Sequence, residues 1–198
     1  MPARENRRFP FVANATWLDF VNTEVVSHGE PRDLLHTVHD LVAWSREANG
    51  GEAAVLRRLA RGAGGATLRR ALALRHSLRT LAVAATEGQR PSLDVVHRLN
   101  EILARTPLQE ELVERDGRIV RLRRPASDDP VYLLSPVAIS AAEFLVNGDP
   151  RMVKQCGAPD CILFFYDTTK NHRRRWCSMA GCGNRVKAAA FQRRQRST

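Results

Sequence analysis

The first 155 residues of this chain contain no cysteine, and the last 48 contain only two acidic residues. The first absence removes any disulfide framework from the bulk of the chain. The second leaves residues 151–198 with eleven Lys and Arg against Asp160 and Asp167, a net of +9. Residues 1–150 carry twenty basic and nineteen acidic side chains, so nearly all of the formal +10 rides on the C-terminal quarter. Such asymmetry is the electrostatic footprint of a nucleic-acid-binding segment. The opening MPARENRRFPF lacks the apolar run of about 7–15 residues that a secretory signal needs, and no membrane-length apolar run of about 18 residues stands out. The expectation is a cytoplasmic protein with no membrane contact. There is no internal repeat, no H-E-x-x-H and no serine in a G-x-S-x-G elbow. The Gly62–Gly65 stretch lacks the Lys-Ser/Thr of a phosphate loop. With no nucleophile–base pair to name, the chain reads as not an enzyme.

What is present begins with the cysteines, spaced Cys156-x4-Cys161-x15-Cys177-x4-Cys182. Two close pairs separated by a loop-sized gap are what a tetrahedral metal site needs, and soft thiolates select zinc or iron–sulfur over hard cations. The reading is one structural zinc per chain held by Cys156, Cys161, Cys177 and Cys182; two disulfides, another metal or free thiols are the alternatives. Four thiolates leave no open position for water, which argues against a catalytic site.

The fold class expected is mainly α with a small β-hairpin, followed by a treble-clef-like four-cysteine finger. Residues 1–149 form the helical part and residues 150–198 the finger. Asn14 or Thr16 caps a helix bearing Trp17, Phe20, Val21 and Glu24, with a loop from His28 to Arg32. Asp33 or Thr37 opens the next helix, which stops at Asn49-Gly50-Gly51. Ala53–Arg61, Thr67–Glu87 and the run after Ser92 are further helices. Asp116-Gly117 between β-prone runs signals a hairpin, because a type I′ turn needs positive φ at both central residues. Asp128-Asp129-Pro130 opens an apolar helix from Val131 to Val146, and Pro150 marks the boundary.

In the finger, Val153–Cys156 and Ile162–Tyr166 are β-prone and Arg173–Cys177 returns as a strand, with Arg173 and Arg175 on one face and Arg174 on the other. Cys182 then begins a helix. Arginine forks suit phosphate and guanine edges, so Arg173, Arg174, Arg175, Arg185, Lys187, Arg193, Arg194 and Arg196 are candidate nucleic-acid contacts. Asn184 could pair with adenine or cap the helix. Phe191 and Trp176 read as packing on the metal core.

Cys182-Gly183-Asn184-Arg185, preceded by Phe165-Tyr166-Asp167-Thr168-Thr169 and Arg174-Arg175-Trp176-Cys177-Ser178-Met179, resembles the CGNR zinc finger. Leu18-Asp19-Phe20-Val21-Asn22-Thr23, Asp33-Leu34-Leu35 and Trp44 resemble the ABATE domain usually fused to it. The resemblance implies a bacterial, stress-linked transcription regulator with an N-terminal domain of its own fold.

The leading expectation is a DNA-binding regulator whose helical part senses a small molecule or mediates assembly, for instance as a homodimer. An RNA-binding or ribosome-associated protein is the alternative, since the same arginines fit A-form backbone. A third is a protein-interaction finger, or an enzyme pocket in the helical part. Asp19, Asn22 and Thr23, with Arg75 and Asn100, are polar residues within apolar helices. They form either a ligand pocket or an internal hydrogen-bond network.

Overall fold

The computed structural model describes residues 8–27, 29–49 and 53–196, and these are mainly helical with three two-stranded antiparallel sheets. The first helix, α1 (Thr16–Val21), is shorter than the periodicity predicts. Thr23 Oγ1 donates to the Phe20 carbonyl at 2.8 Å and closes the helix end. Glu24 then opens β1 (Glu24–Ser27), which pairs with β2 (Glu30–Asp33) around Gly29 at φ +84°. Most of the stretch read as a loop is therefore a hairpin, its strands too short for an alternating pattern to register. His28, Gly50 and Gly51 of the expected loop and helix stop lie outside the described residues.

Neither Asn14 nor Thr16 caps α1: the cap position is Ala15, without a side-chain bond. For α2 (Val38–Asn49) the cap is Thr37 and not Asp33. Thr37 Oγ1 accepts from Asp40 N at 3.3 Å, and the Asp40 carboxylate accepts from Thr37 N at 2.7 Å, a reciprocal capping box. Then follow α3 (Ala53–Gly62), α4 (Gly65–Thr86) and α5 (Leu93–Arg105), the last capped by Ser92. The predicted hairpin is β3 (Leu108–Arg115) and β4 (Arg118–Pro125), with Asp116 at φ +51° and Gly117 at +76°. Asp129 caps a 3-10 turn over Pro130–Leu134 that runs into α6 (Ser135–Asn147).

The 18 residues Pro130–Asn147 have a mean hydropathy of 1.3, so by length and composition one segment could cross a membrane, against the sequence expectation. Val131, Leu133, Leu134, Val137, Ala138 and Ala141 are instead buried in the protein core. Central to that core is α4, which presents Ala71, Leu74, Leu78, Leu81 and Ala82 and meets α1, α2 and α5. Phe20 packs edge-on against Trp44, and Trp17 packs with tilted rings against Phe144.

Asp149 caps a short 3-10 turn, Pro150–Met152, leading into β5 (Val153–Gln155) and its partner β6 (Phe164–Tyr166). Val153, Phe164 and Phe165 are buried in the same core as Trp17 and Leu78. The α4 helix contacts β5, and α1 contacts β6. A single π turn, Met179–Gly183, precedes α7 (Asn184–Arg196). No residue of α7 is buried, and Phe191 is 56% exposed rather than packed on the metal core.

Candidate metal centre and its basic surround

The β5–β6 pair builds the first half of the metal site. Cys156 N donates to the Leu163 carbonyl at 2.8 Å and Cys161 N to Ala158 at 3.1 Å, so the chain turns tightly and presents both sulfurs inward. The second half comes from the segment before α7 and the π turn. A side chain at Gly183 would place Cβ 2.7 Å from the Met179 sulfur and 3.1 Å from Trp176 Cδ1, so Met179 would have to shift to admit it. Ser178 Oγ accepts from Gly181 N at 3.2 Å and fixes the start of that turn.

All four Sγ atoms lie within 4.8 Å of one another. Cys161 and Cys177 are 3.8 Å apart, and Cys177 and Cys182 are 3.5 Å apart. A tetrahedral ion at about 2.3 Å from each sulfur requires sulfur–sulfur edges of about 3.8 Å. The donor set therefore fits a four-coordinate soft metal. Among the described residues no other cluster of His, Cys, Asp and Glu gathers in this way. Without a cation the four thiols cannot all ionise. A hydrogen bond from Cys177 pulls Cys161 down to about 5, and that same bond together with burial pushes Cys177 up. Burial also pushes Cys182 up to about 11. A dication at the centre reverses that penalty and favours four thiolates.

Several charged groups brace the site. Asp167 is 1% exposed and accepts from Lys154 Nζ at 2.6 Å, Thr169 Oγ1 at 2.6 Å and Arg174 N at 3.0 Å. Burial would raise its pKa, but these bonds outweigh it and hold the carboxyl below the usual range. The Arg185 guanidinium sits 3.5 Å from the Cys182 sulfur, where it would offset thiolate charge.

The segment Arg173–Cys177 is irregular and not the expected strand. Its backbone is instead spent on the site: Arg175 O accepts from Gly157 N at 2.9 Å, and Cys177 N donates to the Cys156 sulfur at 3.3 Å. Arg174 turns inward. It donates to the carbonyls of Val12 at 2.6 Å, Trp176 at 3.0 Å and Cys177 at 2.5 Å, and lies 4.2 Å over the Phe165 ring. Arg173 and Arg175 are exposed, as are Asn184, Arg185, Lys187, Arg193, Arg194 and Arg196. Sequence reading missed Arg151 and Lys154, which line an open groove with Arg173, Arg174 and Arg175. The run Arg151-x2-Lys154 just past Pro150 carried the signal.

The polar set in the helical part is hydrogen-bonded internally, and Asp19 also lines an open cavity with Trp17, Phe144 and Tyr166. Asp19 Oδ1 accepts from Val12 N and Ala13 N, each at 2.9 Å. Asn22 bonds to Phe164. Arg75, 4% exposed, donates to Thr23 Oγ1 at 2.9 Å and forks onto both Asp33 oxygens at 2.7 and 2.5 Å. Asn100 does not join: it is exposed on α5. Packing and charge pairing, which no local pattern encodes, decide between these alternatives.

Comparison with known families agrees with this architecture. Residues 14–148 match the ABATE family, described as "Putative stress-induced transcription regulator", and residues 152–195 match the CGNR zinc finger. No curated protein matches the chain closely enough to count as a relative. The chain belongs to the ABATE family and carries a CGNR zinc finger at its C-terminal end.

Proposed function

We propose that this protein is a DNA-binding transcription regulator in which zinc on Cys156, Cys161, Cys177 and Cys182 fixes the base of a basic helix that meets DNA. The observation that carries the reading is α7: thirteen residues with no buried member and five Lys or Arg, leaving directly from the four-sulfur site. An exposed helix about 20 Å long is the right size for a major groove. Arg173 and Arg175, with Arg151 in the adjoining groove, supply phosphate contacts, while Lys154 is held by the buried Asp167. Arg174 is committed to protein carbonyls and takes no part. Asn184 and Arg185, at the start of α7, are the base-reading candidates, and Arg185 also steadies Cys182. Reduced thiolates fit a cytoplasmic setting. The helical part then senses a small molecule or mediates assembly as a homodimer.

One observation favours RNA as the second reading. Phe191 stands exposed among the α7 arginines, where an unstacked base could lie on it. The test is fluorescence anisotropy of the full zinc-loaded chain with a duplex DNA pool, duplex RNA and single-stranded RNA, alongside the Arg173→Gln/Arg175→Gln double variant. The DNA reading expects duplex DNA to bind most tightly and the double variant to weaken it by roughly tenfold or more. Tighter single-stranded RNA binding that falls on Phe191→Ala would select the RNA reading instead.

A further inference from the structure

The β3–β4 hairpin stands away from the protein it belongs to. None of its residues from Leu108 to Pro125 is buried, and the two strands pack chiefly on each other. An isolated two-stranded hairpin is marginal in water, so an apolar face left without a partner is costly. Leu122 faces the body, and Val120 with its cross-strand partner Val113 shares that face two residues along. Between this face and the helices lies a cavity of about 660 Å³, within the range of small-molecule sites. Its opposite wall is Leu56 and Leu59 of α3 with Pro136 and Ile139 of α6.

The charged residues in the lining are unevenly distributed. Arg115, Arg123 and Arg124 enter it from the hairpin, and Glu143 of α6 is the one acidic residue. Arg123 alternates to the face opposite Leu122 and pairs there with Glu110 at 3.2 Å, and Arg124 pairs with Glu111 at 2.6 Å, whereas Arg115 shares the face of Val113 and Leu122. An apolar interior with a cationic rim on one side selects an apolar body with an anionic head.

We infer that this cavity binds a small amphipathic carboxylate, its apolar body between Leu59, Leu122 and Ile139 and its carboxylate on Arg115. Filling the gap would give the hairpin the packing it lacks and fasten it to α3 and α6. The inference rests on the sensing part of the function proposed above and not on DNA binding.

The experiment titrates the full zinc-loaded chain with decanoate, decanol and decylamine by displacement of 1-anilinonaphthalene-8-sulfonate, with DNA affinity measured in parallel on the same samples. Expected are one decanoate site per chain and at least tenfold weaker binding of decylamine. Ile139→Trp, at an exposed helical position, should fill the cavity and weaken decanoate at least tenfold. Arg115→Gln should weaken decanoate but not decanol, and this variant keeps the test intact should Ile139→Trp misfold. No saturable decanoate binding, equal binding of all three probes, or an Arg115→Gln variant without effect would overturn the inference. So would Ile139→Trp changing the sedimentation coefficient while leaving decanoate affinity intact, which would mark the gap as a contact between copies. Loss of DNA affinity with decanoate binding retained counts against the DNA reading alone; the reverse counts against this site alone.

Discussion

The side-chain amide of Asn22 and the main chain of Phe164 exchange two hydrogen bonds across 142 residues of sequence. Asn22 Nδ2 donates to Phe164 O at 2.8 Å, and Phe164 N donates to Asn22 Oδ1 at 2.9 Å. Asn22 thus acts as a one-residue strand neighbour for β6, fully buried at the seam between helical part and finger. Asn22→Leu keeps the volume but leaves both Phe164 groups without partners. Each buried orphan costs about 1–3 kcal/mol, so the variant should lose about 2–6 kcal/mol in urea unfolding. A loss below about 0.5 kcal/mol would mean that water reaches the seam.

Arg174 is the second fastening. Asp19 holds the Val12 and Ala13 amides, and Arg174 ties the Val12 carbonyl to that of the ligand residue Cys177. Arg174→Gln should speed chelator-driven metal release by roughly tenfold and lower thermal stability, as expected when a half-buried guanidinium that joins three carbonyls is removed. Arg173→Gln, whose side chain is exposed, should leave the release rate unchanged. Equal release from both variants would show that the metal knuckle is indifferent to the helical part.

Asp167 predicts an acid limb. Its folded pKa lies below the unfolded value of about 3.9, so its stabilisation is complete above that value and is lost as pH falls through it. Asp167→Asn should be less stable than the native chain at pH 7. The difference should shrink between about pH 4 and pH 2 in matched urea titrations, because Asp167 then binds a proton in the unfolded state before the folded state does, and Asn cannot. A constant gap across that range would mean the carboxylate charge contributes nothing.

The metal should be zinc at one atom per chain by elemental analysis of protein purified without chelator. Replacing any one of the four cysteines with Ser should abolish stoichiometric retention. Because Phe164 and Phe165 belong to the common core, metal loss should also expose apolar surface and bind a hydrophobic dye, beyond unfolding residues 150–198.

The cysteine spacing, the Asp116-Gly117 turn and the apolar periodicity of α3 to α6 were legible in the sequence because each rests on chemistry within one or two turns of chain. The β1–β2 hairpin was not, since its strands are four residues long and Pro31 stands in one of them. The uses of Asn14, Asp19, Asn22 and Arg174 were also hidden. Asn14 looks like a helix cap, yet its amide bonds to Tyr166 O and Thr168 Oγ1 on the finger, each at 3.2 Å. Arg174 sits in a run of three arginines and only tertiary contacts separate it from its neighbours. Polar groups that join distant segments carry no periodicity, so a sequence pattern can flag them as unusual but cannot name their partners.

The shared core also decides how DNA binding should be tested. Ending the chain at Asp149 would strip the cover from α1 and α4, so charge variants of the intact protein are cleaner. The most direct measurement is the salt dependence of DNA affinity for the full zinc-loaded chain. With about 4–6 phosphates neutralised, log K against log salt should fall with a slope of about −4 to −5. Arg173→Gln with Arg175→Gln should reduce that slope by about two while zinc content stays at one per chain. A slope near zero, or one unchanged in the double variant, would contradict the account.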